Sequence, residues 1–340
     1  MKNQILLVLL LSFIGFVGAQ HTFSIIAIDS VTGEIGAAGA SCIDGAADIG
    51  GVQIISQIIP GRGGINAQAQ ICIPNRNLDR GIERLSLGDS PDEVLEYLYE
   101  NDACFWGGYD STHRQYGVVD IDSIGRPRAQ AFTGAQCMDW AGHIVGSNYA
   151  IQGNILIDSS VIEKMEEGFL NSTGTLADKL MAAMQGANIE GADSRCLDRG
   201  TSSTSIFLKV YGTDDHVDTP SIGFNIMEMP YGEEPIDSLQ NLFNLYMDSL
   251  KNVDSISAVL SLEKQVMIFP NPVADILRVQ IASGSNIDRV IIRDILGKVM
   301  TIQELNLGTN DIFSADWPSG VYHLEFRDKN HIVGSKRILK

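Results

Sequence analysis

The sequence predicts an α+β domain built on antiparallel sheets, followed by a small β-sandwich. Three observations carry this. Candidate elements over the first two-thirds of the chain run strands, helix, strands, helices, strand, without the strict alternation that builds a parallel sheet. From Gln265 onwards apolar residues recur at period two, the signature of a sheet with one wet face. Charge divides the chain at the same place: of the net −18, residues 265–340 hold nine Lys/Arg against eight Asp/Glu, which leaves −19 on the preceding part. All five cysteines lie in that acidic part, and the last 144 residues contain none. A length of 340 residues has room for two domains and a short further segment. With 44% hydrophobic and 19% charged residues, the composition is that of a chain that builds cores.

The elements follow in order. After Lys2 an apolar stretch, Ile5 to Val17, is too short to span a bilayer and ends in Val17-Gly18-Ala19. Residues 1–19 therefore read as a secretory signal peptide, cleaved after Ala19 or, as the alternative, after Gln20. Thr22 to Asp29 is β-rich, Val31-Thr32-Gly33-Glu34 supplies a turn, and Ile35 to Ser41 returns as a strand of small residues. Further strands are predicted at Val52 to Ile59 and Gly64 to Ile71. Ser90 as N-cap, Pro91 at the first helical position and Asp92 and Glu93 in the first turn start a helix that continues through Val94, Leu95 and Leu98. Gln115 to Ile121 and Arg128 to Thr133 pair around Asp122-Ser123-Ile124-Gly125. Two helices follow, at Ser160 to Phe169 and at Thr175 to Gln185, the second opened by the capping box Thr175 to Asp178. Thr204 to Tyr211 is a strand. Leu239, Leu242, Phe243, Tyr246 and Leu250 share one helical face, and Asn252 to Glu263 reads as a linker.

The near-neutral unit opens at Met267-Ile268-Phe269-Pro270-Asn271-Pro272. Ile276 to Ile281 alternates apolar and polar residues. Strands at Arg289 to Arg293 and Lys298 to Gln303 flank Asp294-Ile295-Leu296-Gly297, and two more run from Val321 to Arg327 and from His331 to Leu339. Short strands and polar turns at this spacing predict an Ig-like β-sandwich of about 75 residues.

Charge and motifs narrow the function classes. An acidic chain without a Lys/Arg run is a poor partner for nucleic acid or an anionic membrane surface. No other stretch reaches membrane-spanning length, so no transmembrane segment is expected. Successive cysteines are 30, 32, 33 and 59 residues apart, unlike any zinc ligand set, and no cofactor fingerprint occurs, so neither metal nor cofactor is predicted. Export permits disulfides. Five cysteines form at most two and leave one thiol, with the connectivity open.

The densest polar-and-glycine stretch, Ala131 to His143 continuing to Ile151-Gln152-Gly153-Asn154, reads as a loop ending one strand and crossing to another, where functional groups often lie. Cys137 and His143, six residues apart, could meet as thiol and imidazole. The plainer alternative is a buried or disulfide-bonded Cys137 and a structural His143.

His21-Thr22-Phe23-Ser24-Ile25-Ile26-Ala27, Gly33-Glu34-Ile35-Gly36, Ala40-Ser41-Cys42, Phe132-Thr133-Gly134 through Cys137, Trp140-Ala141-Gly142-His143 and Gln152-Gly153-Asn154 resemble, block by block, domain-of-unknown-function family 1028, which is similar to the N-terminal nucleophile (Ntn) hydrolases. The resemblance spans about Gln20 to Glu234. It implies a four-layer αββα sandwich and a nucleophile at the first residue of the first strand, whose own α-amine is the general base. Thr22 occupies that position, and Gln152, Asn154 and His143 are the carried-over candidates for oxyanion donors and substrate orientation. Gln20 and His21 would have to be removed before Thr22 could act. The strand at Val52 to Ile59 contains no lysine to assist it. Asp193-Ser194-Arg195 also resembles a family block and reads as an internal ion pair.

Pro270-Asn271-Pro272, the Asp294 to Lys298 hairpin, Gly320-Val321-Tyr322 and the terminal Lys336-Arg337-Ile338-Leu339-Lys340 resemble the type A C-terminal sorting domain of the type IX secretion system. The implied organisation is a signal peptide at 1–19, an Ntn-hydrolase-like domain at 20–235, a helix and linker at 236–264 and a sorting domain at 265–340. The implied partner is the type IX secretion machinery, with passage through the periplasm and a secreted or surface-attached product. The expected activity is that of an amidohydrolase on an unknown extracellular substrate. The alternative is a non-catalytic binding protein on the same scaffold.

Overall fold

The computed structural model describes residues 22–104, 108–251, 262, 265–329 and 331–340. The predicted signal peptide, residues Gln20 and His21, and all of the predicted linker except Leu262 lie outside them. The first part of the chain is a mixed α/β unit and the last part is β-rich.

Two antiparallel sheets organise the first part. The larger has strand order β10-β9-β2-β1-β8-β7, from β1 (Thr22–Ile28), β2 (Ile35–Ser41), β7 (Trp140–Val145), β8 (Tyr149–Leu156), β9 (Ser205–Tyr211) and β10 (Ile222–Ile226). The smaller runs β3 (Ser56–Ile59), β4 (Gly63–Ala69), β5 (Arg114–Ile121), β6 (Pro127–Thr133). Period-two alternation sends β1 side chains to two different cores. Phe23, Ile25 and Ala27 pack with Val161, Met165, Leu180 and Met184 of α3 (Ser160–Asn171) and α4 (Leu176–Gly186), joined by Ile236 and Leu239 of α5 (Pro235–Lys251). Ile26 and Ile28 turn the other way, toward Ile58 and Val119 of the smaller sheet. The far face of that sheet, with Ile65, Tyr116 and Val118, is covered by α1 (Arg76–Leu87) and α2 (Pro91–Glu100). The site described below lies between the two sheets.

Local chemistry explains most helix ends. Ser90 and Glu93 form a reciprocal capping box at α2, and Thr175 and Asp178 do the same at α4. Both agree with the sequence. Helix α1 was not predicted, although Asn75 caps it, Leu78, Ile82 and Leu85 form its apolar stripe and Gly88 ends it at a φ of 106°. Helices α3 and α4 approach to backbone contact, because a Cβ at Gly168 would fall on the Ala182 carbonyl. Two further readings are corrected. Val52–Ile55 is a 3-10 turn, so only Ser56–Ile59 of that stretch is a strand. The polar segment read as one long loop contains β7 and β8, and only the short connections between the strands are irregular.

The C-terminal part pairs a three-stranded sheet, β11 (Val266–Phe269), β12 (Ile276–Ile281), β15 (Gly308–Phe313), with a four-stranded one of order β14 (Val299–Glu304), β13 (Arg289–Asp294), β16 (Val321–Asp328), β17 (His331–Leu339). Leu277, Val279, Val290, Ile292, Leu324 and Phe326 fill the space between them. No helix among the described residues is long and apolar enough to cross a membrane.

Candidate functional site

Register places the candidate residues. Thr22 pairs with Ser41 of β2, which pairs with Ser205 of β9; Ser24 pairs with Gln152 of β8, which pairs with His143 of β7. Paired residues share a face, so these side chains form two adjacent rows on the inter-sheet surface, with Asn154 on the same face of β8. Glutamines of the smaller sheet meet them. Gln68 of β4 donates from Nε2 to the Thr22 carbonyl at 2.9 Å and accepts from Ser24 Oγ at 2.6 Å. Its Nε2 also donates to Gln115 Oε1 at 2.8 Å, an oxygen that accepts Asn154 Nδ2 at 3.0 Å. Gln152 Nε2 donates to Ser24 Oγ at 2.6 Å. Gly117 of β5 makes this possible, since a Cβ there would collide with the Gln152 amide.

The cluster is buried and incompletely satisfied. Thr22, Ser24, Gln68, Gln115 and Gln152 are 0% exposed, yet Thr22 Oγ1 and Gln152 Oε1 have no hydrogen-bond partner among the described residues. A buried hydroxyl without a partner costs about 1–3 kcal/mol, which marks this as a place where stability is set aside. His143 sits at the solvent edge, exposed on β7, with Nδ1 2.8 Å from Thr133 Oγ1. Partial burial of its ring holds its pKa below the usual imidazole value. The four carried-over residues thus lie on one face: Thr22, Gln152 and Asn154 inside, His143 at the rim. Ser24, Gln68, Gln115 and Thr133 were missed. Asn66 and Gln68 alternating with Ile65 and Ala67 was the available signal, because one polar face of so short a strand still has to be buried.

The cysteines resolve differently. Cys42–Cys196 and Cys72–Cys104 are disulfides, and Cys137 is the free thiol. Its Sγ donates to the Arg114 carbonyl, not to His143, which bonds Thr133. Burial pushes the Cys137 thiol up to about 11, the opposite of what a thiolate nucleophile needs. Asp193 and Arg195 form the expected ion pair at 2.7 Å, and Asp193 also accepts the Cys42 amide. No group of three or more His, Cys, Asp or Glu side chains among the described residues could hold a metal ion.

One half-buried amine escaped the sequence reading. Lys209 on β9 donates from Nζ to the Ser56 carbonyl at 2.7 Å and lies 5.5 Å from the Phe207 ring centre. Burial lowers its pKa to about 7. Lys209 is four residues along β9 from Ser205, the residue level with Thr22, or about 13 Å of strand, too far to assist it. It acts on stability instead. Between pH 7 and 10 the unfolded chain holds this proton and the folded chain releases it, so stability rises with pH across that window. Lys209→Met should flatten the rise and stabilise the protein at pH 7 by on the order of 3 kcal/mol. Urea midpoints measured at pH 7 and 9.5 check this, and identical slopes with pH in both proteins would refute it.

The family described as "Family of unknown function (DUF1028)" matches residues 22–230, and that described as "Secretion system C-terminal sorting domain" matches residues 267–340. Similar solved structures include the crystal structure of protein SPO2555 from Silicibacter pomeroyi, itself assigned to DUF1028. It is 24% identical, covers 66% of this chain and 88% of that one, and has a TM-score of 0.49. Domains 3 and 4 of rat CD4 also align, at 6% identity over 66% of this chain and 77% of that one, with a TM-score of 0.18. No curated protein matches.

Proposed function

We propose that this chain, which belongs to the DUF1028 family of unknown function and ends in a secretion sorting domain that implies export by the type IX machinery, is an Ntn-hydrolase-like amidohydrolase with Thr22 as nucleophile. Two facing sheets with helices on their outer faces support reading residues 22–230 as the four-layer αββα arrangement. The observation that carries the catalytic reading is the Thr22 hydroxyl, buried at the first position of β1 beside a cluster of amides and left without a partner. An alcohol in that state is available to attack a carbonyl carbon once a base accepts its proton. The base is the α-amine of Thr22 itself, which exists only after the bond to His21 is cut; as an amide, that nitrogen is not basic. Gln152 and Asn154, on the same face, are the amide donors for the oxyanion.

The complete burial of Thr22 favours a second reading, a binding protein whose amide cluster only joins its sheets. One experiment separates the two. The secreted protein should begin at Thr22, react with a β-lactone probe at that residue, and lose labelling by roughly 10³-fold in Thr22→Ala while Thr22→Ser retains it. A secreted chain that starts at Gln20 or His21 and takes no label overturns the catalytic reading.

A further inference from the structure

The inter-sheet amides form one directed chain. Gln152 Nε2 donates to Ser24 Oγ, and Ser24 Oγ to Gln68 Oε1, both at 2.6 Å. Gln68 Nε2 donates to the Thr22 carbonyl and to Gln115 Oε1. Gln115 Nε2 donates to Thr133 Oγ1 at 2.9 Å, and Thr133 Oγ1 is 2.8 Å from His143 Nδ1. The chain therefore runs from the core beside Thr22 to an imidazole at the surface. Resting on Thr22 as the reacting residue, we propose that Gln68 and Gln115 are positioning residues for it, and that Thr133 couples their hydrogen bonds to the protonation state of His143.

Donor accounting carries the argument. Gln115 Nε2 has two hydrogens and three acceptors within reach: Thr133 Oγ1, the Gly142 carbonyl at 3.0 Å and the Gly153 carbonyl at 2.8 Å. Its Oε1 is pinned by donors from Gln68 and Asn154, so the amide cannot flip. In the proposed relay Gln115 fills one lone pair of Thr133 Oγ1 and the threonine hydroxyl is the donor to His143 Nδ1. A neutral imidazole at this place consequently carries its proton on Nε2. Protonation of Nδ1 reverses the last bond. Donors from His143 and Gln115 then fill both lone pairs of Thr133 Oγ1 and the hydroxyl hydrogen loses His143 as its acceptor; Gln115 relieves this by moving onto the two glycine carbonyls, which match its two hydrogens. Gln68 is bonded to the same amide and follows, and Gln68 holds the Thr22 carbonyl. Since Thr22 Oγ1 has no partner among the described residues, the orientation of residue 22 depends on such backbone anchors. On the His143 face the packed strands present Thr133 from β6, Gln115 from β5 and Gln152 from β8, none of which titrates or carries charge, while α3, with Glu163, Lys164, Glu166 and Glu167, packs on the opposite face of β7 against Trp140 and Ile144.

The test uses the full secreted chain with 15N-labelled imidazoles and 13C-labelled threonine methyls, read by NMR through the His143 titration. His143 should be the Nε2–H tautomer when neutral, and the Thr22 methyl resonance should move with its titration. Thr133→Val should abolish the fixed tautomer and the coupled methyl shift, while Thr133→Ser should restore both. A His143 protonated at Nδ1 when neutral, or a Thr22 methyl that stays still through the titration, overturns the proposal. β-Lactone labelling measured in parallel keeps the two readings apart. A coupled methyl shift without label leaves the relay standing and removes the catalytic role of Thr22. Label without a coupled shift does the reverse.

Discussion

Replacing Cys42 and Cys196 together by alanine should lower the unfolding free energy by about 4 kcal/mol, the larger of the two disulfide effects. The bridge spans 154 residues of sequence, whereas Cys72–Cys104 spans 32. In the chain-entropy account the longer loop restricts the unfolded ensemble more, although the dependence is only logarithmic. Geometry adds to this. Cys42 follows the last residue of β2, and Cys196 lies in the 3-10 turn Ser194–Arg199, beside the Asp193 carboxylate that accepts the Cys42 amide. Losing the bridge therefore also loosens the end of the strand paired with β1, close to Thr22. A urea midpoint lowered at unchanged slope gives the measurement. A loss below about 1 kcal/mol would show that the loop is already closed in the unfolded chain.

Arg114→Met should cost about 3–5 kcal/mol, through a charge left behind more than through one removed. The guanidinium is 2% exposed and bonds Asp102 at 2.9 Å. It also donates to the carbonyl oxygens of Gln70, Cys104 and Tyr109, so one side chain holds three segments together. Without it the Asp102 carboxylate, 11% exposed, keeps as donors among the described residues only the Asn77 side chain and the Cys104 amide. Hydrogen exchange should report faster opening at Asp102 to Cys104 and from Tyr109 onward, together with the lowered midpoint. Adding Asp102→Asn should recover part of the loss. If the double variant is no better than Arg114→Met alone, the stranded carboxylate is not the cause.

Local signals were legible in the sequence, and cross-sheet ones were not. The Ser90 and Thr175 caps and the β5–β6 pair around Asp122 follow from residues within a few positions of one another, and they match the structure. Strands β7 and β8 were hidden because Gln152, Asn154 and His143 read as loop residues; the burial of Gln152 and Asn154 is decided by Gln68 and Gln115, 84 and 37 positions before Gln152 in the chain. The match of blocks at Thr22, Gln152 and Asn154 located one side of the site. The smaller sheet supplies the other side, from residues with no distinctive spacing. Lys209 was missed for the same reason, since the Ser56 carbonyl that accepts from its amine lies 153 positions earlier in the chain.

The fifth sulfur has a consequence for biogenesis. An oxidising compartment punishes an odd cysteine, because any accessible thiolate can attack a correct bridge or link two molecules. Burial pushes the Cys137 thiol well above the usual thiol range, which keeps its thiolate scarce at neutral pH and slows exchange in the folded protein. Attack by this sulfur on either bridge is thereby disfavoured once the protein has folded.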